Sequence, residues 1–271
     1  PGGRLCAGAC PQIRRSWVVE YSYNEMMALA AGRLIKDGAI VFAGTGVSML
    51  AATAAKRIFA PGAVIFFESG GIDPSLSEIP MAVGDPRVMS GTAVNTGLID
   101  AFSIAGHRRF HTIAFLGAAQ IDRYGNLNST CIGDYHRPVT RFSGSGGSCD
   151  VASFASEVIT FIQHEKRRFV EKLDYLTSVG WYKGFDSRRK LGLERGGMTA
   201  VVTNLGVLKF KEDSKEMYLS EYFPGVSIGE IIEKTGFPLD VASAVEAAAP
   251  TARELLILRQ EVDPQRLICH V

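Results

Sequence analysis

Short runs in which every position is apolar recur along the chain, separated by longer stretches whose apolar positions repeat with a helical period. AIVFAG (39–44), VIFF (64–67), TIAFLG (112–117) and VITFI (158–162) are the runs. A strand covered on one face alternates apolar and polar residues, so apolar runs this short predict strands buried on both faces. Between them, NEMMALAAGRLIKDG (24–38) predicts a helix capped by Asn24, with Met27, Ala30, Ala31, Leu34 and Ile35 on one face and Gly38 as its stop. VSMLAATAAKRIF (47–59) and NTGLIDAFSIAG (95–106) predict two more helices. Helices alternating with buried strands are βα units, so the expected fold is α/β, a mainly parallel sheet flanked by helices.

The rhythm breaks at residues 117–150, which are rich in Gly, Asn, Ser and Asp and read as a long loop, a kind of segment that usually carries function. Beyond it, AVVTNLGVLKF (200–210) predicts a hairpin with Asn204, Leu205 and Gly206 near its tip, and the chain from SIGEIIEKTGF (227–237) through TARELLILRQEV (251–262) reads as helical. No repeat or linker divides the sequence, so a flexible leader (1–23) followed by one domain (24–271) is expected.

Composition narrows the function. At 271 residues and 46% hydrophobic content the chain can bury a large core. A formal charge of +1 gives no electrostatic case for nucleic acid. No run approaches the ~18 apolar residues of a membrane span, and the N-terminal stretch has no signal-like apolar core. Cys6, Cys10, Cys131, Cys149 and Cys269 are scattered and odd in number, without paired zinc-ligand spacing, which suits a reducing, cytosolic setting and no metal.

Candidate chemistry centres on Glu68, directly after the run VIFF. Such a carboxylate either simply stops the strand and faces water, as long acidic side chains usually do, or stands at the carboxyl end of a strand buried on both faces, in the crevice where such sheets bind ligands, partly desolvated and more nucleophilic than in water. Ser69, Gly70 and Gly71 allow a sharp turn and close approach of a substrate. Gly44 and Gly46 in VFAGTGVSML stand between a strand and a helix, where N–H groups can meet an anion or simply make a tight turn; the third glycine of a dinucleotide fingerprint is absent. Gly144, Ser145, Gly146 and Gly147 leave several N–H groups available for a carboxylate or thioester oxygen, or form a plain surface loop. The cations of HEKRRF (164–169) read as a solvated face with phosphate contact as the alternative, and His136, two residues from Asp134, as a hydrogen-bonded loop histidine.

Several longer stretches, in order, resemble one family: ESGG after the apolar strand, LGAAQIDRYGNLNST, IGDYHRPVTRFSGSGG, QHEKRRF and TGFPLDV. They are similar to the B-type chain of the class I CoA-transferases of the glutaconate CoA-transferase type, from about Asn24 to the C-terminus. The resemblance implies an open α/β fold and makes Glu68 the covalent nucleophile of a double displacement passing through a glutamyl-CoA thioester. It implies that Gly117, Ala118 and Ala119, with Gly144 to Gly147, are glycine-rich loops near the nucleophile that hold oxyanion, CoA or substrate. The family more often has Gly-Gly-Ala at 117–119, so Ala118 implies a tighter pocket. An A-type partner subunit is implied, with coenzyme A arriving as acyl-CoA substrate, a small carboxylic or dicarboxylic acid as acceptor, and no permanently bound cofactor. Relatives of the same fold that hydrolyse or decarboxylate dicarboxylic or ring-derived CoA esters supply the alternative activity. They lack the ESG glutamate.

Overall fold

The computed structural model describes residues 20–269, so Cys6, Cys10 and residues 1–19 of the expected leader lie outside the described residues. The first half of the chain forms α1 (Tyr23–Gly32), β1 (Ile40–Phe42), α2 (Val47–Ala54), β2 (Val64–Phe66), β3 (Gly71–Ile72), β4 (Val94–Asn95), α3 (Leu98–Gly106) and β5 (Thr112–Gly117). Two hairpins follow, β6 (Gln120–Ile121) with β7 (Leu127–Asn128) and β8 (Cys131–Asp134) with β9 (Arg137–Arg141). Then come α4 (Ser148–Phe154), β10 (Glu157–Phe161), α5 (Ser187–Lys190), β11 (Met198–Val202), β12 (Gly206–Phe210) and β13 (Met217–Tyr222). The last elements are α6 (Ile228–Glu233), β14 (Val245–Glu246) and α7 (Ala252–Ile257).

A ten-stranded sheet, in the order β14-β13-β12-β11-β10-β5-β1-β2-β3-β4, organises these elements. Its centre, from β11 to β2, is parallel, and antiparallel strands extend it on both sides. Along each central strand successive side chains enter different cores. Val41, Ile65, Phe67, Ile113, Phe115 and Ile159 join the cluster under α1, α2 and α7. Phe42, Phe66, Ala114, Leu116 and Val158 join the one under α3, α4 and α6. Both faces are dry, which is why these strands carry no polar alternation. The expected α/β architecture and the 200–210 hairpin are present, with Val202 opposite Val207.

Four expectations change. Ser22, not Asn24, caps α1: its hydroxyl accepts from the Glu25 N–H while the Glu25 carboxylate accepts from the Ser22 N–H, a reciprocal capping box. Asn24 is instead buried, its side-chain amide donating to the Ile268 carbonyl. The helix also ends at Gly32, where a Cβ would lie 3.1 Å from the Phe59 ring, and Gly38 closes a later turn with φ +79°. Residues 117–150 are not one loop. Side-chain hydrogen bonds build their hairpins: Asp122 accepts from the N–H groups of Tyr124 and Asn126 and from the Asn126 amide, and the Asn128 amide donates to Gln120 and to the Cys131 carbonyl. Such local bonding leaves no hydrophobic period to read. Finally, the C-terminal part is not helical throughout, because between α6 and α7 the chain runs extended through β14 to the edge of the sheet.

Candidate active site

Where β2 ends, the Gly70 N–H donates to the Phe67 carbonyl and the Phe67 N–H to the Gly71 carbonyl, each at 3.0 Å, placing Glu68 and Ser69 at the tip of a tight turn. The two glycines are dictated by crowding. A Cβ on Gly70, whose φ is +103°, would sit 1.9 Å from the Thr96 carbonyl oxygen, and one on Gly71 would sit 2.2 Å from that of Val88. The Glu68 side chain is half-buried and meets no hydrogen-bond or ion-pair partner among the described residues. Ser69 Oγ is buried and likewise unpartnered.

Two cavities meet at this carboxylate, and both are also lined by Gly146 and Gly147. The larger, about 710 Å³, has walls of Leu98, Ile99, Phe102 and Phe154 with Ser103 and Asp150 at its edge. The smaller, about 380 Å³, is lined by Thr45, Ser48, Ser143, Ser145 and Ser148, five hydroxyl-bearing residues. Gly147 stands close to the carboxylate: a Cβ there would lie 3.0 Å from Glu68 Oε2 and 2.3 Å from Phe102 Cζ. The flanking amides are engaged, Gly144 N–H with the Ser129 carbonyl and Ser148 N–H with that of Ser145, whereas those of Gly146 and Gly147 find no acceptor among the described residues.

The Gly146-Gly147 turn leads directly into α4, and α4 is pinned at both ends. At its start Ser148 Oγ meets Ser178 Oγ at 3.1 Å. At its end the Arg188 guanidinium donates to the carbonyls of Ala152 and Ser153, and also to those of Val179, Gly180 and Arg195. Burial pushes the Arg188 pKa down to about 10.

Of the residues singled out from sequence, Gly44, Gly117, Ser145, Gly146 and Gly147 gather with Glu68 around the smaller cavity. Gly46 caps α2 with φ +71°. Ala118, Ala119 and Gly144 line neither cavity. The Ala119 N–H donates to the Asn128 carbonyl at 2.8 Å, and the Ala118 side chain packs against the core beneath α3 and α4. Gly144 is tied to Ser129, whose hydroxyl donates to its carbonyl. In HEKRRF, Arg167 and Arg168 both pair with Glu165, and His164 turns inward. There it stacks on Phe169 at 4.0 Å and lies between Thr203 and Thr235; burial, with Lys234 adding, pushes its pKa down to about 3. The His136 N–H donates to Asp134 Oδ1 in the β8–β9 turn. Among the described residues no three His, Cys, Asp or Glu side chains gather closely enough to hold a metal ion, and no helix is long and apolar enough to cross a membrane.

Sequence reasoning missed Thr45, Ser48, Ser143 and Ser148. The signal available was the spacing of serines in FSGSGGS (142–148) and the placement of Thr45 and Ser48 around the start of a helix that follows a buried strand. Phe102, Leu98 and Ile99 carried no signal beyond their place in an apolar helix.

A profile of the coenzyme A transferase family matches residues 24–234. The chain belongs to the coenzyme A transferase family. This coenzyme A transferase chain is 45% identical over 256 residues to the B chain of glutaconate CoA-transferase from Acidaminococcus fermentans, covering 93% of this chain and 96% of that one. It is 40% identical over 242 residues to the B chain of 3-oxoadipate CoA-transferase from Pseudomonas knackmussii, covering 88% and 92%. The crystal structure of glutaconate coenzyme A-transferase from Acidaminococcus fermentans superimposes with a TM-score of 0.89 at 44% identity, over 93% of this coenzyme A transferase chain and 98% of the other.

Proposed function

We propose that this chain is the B-type half of a two-subunit CoA-transferase that moves CoA between an acyl-CoA and a small dicarboxylic acid through a glutamyl-CoA thioester on Glu68. The observation that carries this reading is the half-buried, unpartnered Glu68 carboxylate where two cavities meet, beside the unengaged N–H groups of Gly146 and Gly147. An ionised carboxylate without local partners retains its lone pairs for attack. One Glu68 oxygen adds to the thioester carbonyl, the C–S bond breaks, and a mixed anhydride forms with release of CoA thiolate. The thiolate attacks the glutamyl carbonyl, the anhydride C–O bond breaks, and the first acid leaves as its carboxylate. A second carboxylate adds to the glutamyl thioester and the same steps run in reverse, regenerating Glu68. Each tetrahedral intermediate carries an oxyanion, and the adjacent glycine N–H groups are donors already held in place. Protons, metal and redox equivalents are neither consumed nor produced, so coenzyme A as substrate suffices and no resident cofactor is invoked.

The relatives supply the rest of the reading. Both are named for transfer to or from a dicarboxylic acid, and both are named as one lettered half of a multi-chain enzyme. Leu98 and Ile99, 58% and 78% exposed, leave the apolar wall of the larger cavity open until an A-type partner and the CoA arm cover it. Cys131, Cys149 and Cys269 are free thiols, which suits a cytosolic enzyme.

The test is peptide mass analysis of the assembled enzyme after incubation with acyl-CoA and no acceptor acid. The expected product is coenzyme A, less water, on the peptide carrying Glu68, released by hydroxylamine. Turnover with that peptide unmodified, or acyl-CoA hydrolysis without transfer when acid is supplied, overturns the reading.

A further inference from the structure

The larger cavity is a poor place for a second carboxylate. Its walls are the apolar side chains of Leu98, Ile99, Phe102 and Phe154, and Asp150 at its edge adds a like charge. The smaller cavity differs in kind. Among the described residues Glu68 is the sole charged side chain lining it, and Thr45, Ser48, Ser143, Ser145 and Ser148 bring five hydroxyls to one space. Ser148 Oγ meets Ser178; the other four hydroxyls have no partner among the described residues. Ser48 is the most enclosed of them, at 7% exposed, and its hydroxyl has no partner among the described residues, so a ligand oxygen there would replace water and displace no protein partner. Thr45 and Ser48 also stand at the start of the eight-residue helix α2, whose positive end faces the same space.

Three classes of ligand could use such donors. A phosphate is ordinarily met by Arg or Lys, and neither lines this cavity among the described residues. The amides of the CoA arm have the larger, apolar cavity open to them. An uncharged hydroxyl cluster at a helix start suits a single desolvated carboxylate or ketone, which needs several donors. Phe42, Phe115 and Leu116 give the space apolar walls for a short carbon chain.

We propose that the hydroxyl-lined cavity is the site for the far, unreacting end of the acid, binding its second carboxylate through Ser48 and Thr45, with Ser145 on the opposite loop. The proposal rests on Glu68 as the nucleophile. It divides the labour of the two cavities: the acid tail lies towards the ends of β1 and β5, and the CoA arm lies along α3.

The two half-reactions separate this proposal from the one it rests on. Acetyl-CoA brings the whole CoA arm but an acyl group too short to reach the hydroxyls, so it loads Glu68 without using the cavity. With Ser48→Ala and Thr45→Val combined, Glu68 adduct formation from acetyl-CoA is expected to stay within threefold of the parent rate. Capture of CoA from the adduct by glutarate, read as kcat/KM, is expected to fall at least tenfold, about 1.4 kcal/mol. Ser145→Ala, outside any helix, repeats the measurement free of an effect on α2 and is expected to lower capture severalfold with the thermal midpoint unchanged. Equal losses in loading and capture would assign the hydroxyls to the CoA arm or to Glu68 itself, and no loss in either would leave the cavity unused; both overturn the proposal. Failure of the parent enzyme to form any adduct refutes the nucleophile instead.

Discussion

Gly147→Ala tests how closely the backbone of the Ser145–Ser148 turn governs the carboxylate. Gly147 has φ −80° and ψ 0°, so alanine adds no backbone strain and everything it does comes from one methyl group. That methyl would stand 2.3 Å from Phe102 Cζ, where carbon atoms ordinarily rest about 3.5 Å apart, so the ring tip must retreat by about 1.2 Å. Phe102 is only partly buried, with the larger cavity on one side, and it yields by a tilt smaller than the ~30° that costs about 0.5–1.5 kcal/mol. A loss of about 1 kcal/mol lowers the thermal midpoint of a chain this size by roughly 2–4 °C. The catalytic effect is larger. The methyl also lies 3.0 Å from Glu68 Oε2 and displaces that oxygen by a few tenths of an ångström, while the tilted ring enters the space beside it. A displacement near 1 Å in a reacting group costs about a hundredfold, so a tenfold to hundredfold fall in kcat/KM is expected, about 1.4–2.7 kcal/mol. The assay is steady-state transfer and thermal midpoint on one preparation of assembled enzyme, with Phe102→Leu added as a second step. Leucine removes the clashing ring tip, so it should restore the midpoint and only part of the rate. A kcat/KM within threefold of the parent, or complete rescue by Phe102→Leu, would refute contact between the turn and the carboxylate as the cause.

Glu68→Gln is expected to leave the thermal midpoint unchanged, since the side chain has no partner to lose, and to lower transfer by about four orders of magnitude or more, measured on protein whose peptide mass excludes reversion to glutamate. Gly70→Ala should act in the opposite way: with φ +103° and a carbonyl oxygen 1.9 Å from the new methyl, a loss of more than about 3 kcal/mol is expected in chemical denaturation, whatever the activity of the surviving fold. His164 sets a pH dependence. Its pKa falls from an ordinary 6.5 to about 3 in the fold, so the unfolded chain takes up a proton that the folded chain refuses; this contribution is complete above pH 6.5 and is lost as the pH falls towards 3. From pH 6.5 to 5 the loss is about 2 kcal/mol, and His164→Gln should flatten the fall of the thermal midpoint between pH 7 and 5.

The parallel centre of the sheet was legible because its strands are dry on both faces. At Ile65, Phe66 and Phe67 alternate side chains enter opposite cores, and that requirement prints an apolar residue at each of these positions. Glu68 stood out as a candidate for the same reason, as the first charge after such a run. The hairpins at 120–141 were not, because Asp122, Asn126 and Asn128 build them through hydrogen bonds whose partners are local and follow no period. Nor was the true start of α1, where Ser22 and Asn24 are both capable caps and only the burial of Asn24 against Ile268 decides between them. The serines of the smaller cavity escaped notice because Ser48 sits inside VSMLAATA, where one hydroxyl among apolar neighbours reads as a tolerated helix residue. It lines one cavity with Ser145 only in three dimensions, and that is a property of the sheet order rather than of any window of sequence.

The turn that carries Glu68 is locked entirely by main chain: Phe67, Gly70 and Gly71 bond to one another, and the glycines are pressed against the carbonyls of Thr96 and Val88. The side chain at position 68 therefore has no duty towards the fold, and the fold has little claim on its identity. Under the proposed mechanism, a mutation there would be visible to selection through chemistry alone. The frame can be inherited intact while the reaction changes, so position 68 is where this architecture can be re-purposed in a single step, and where an engineer can install a different reactive group without first repairing the protein around it.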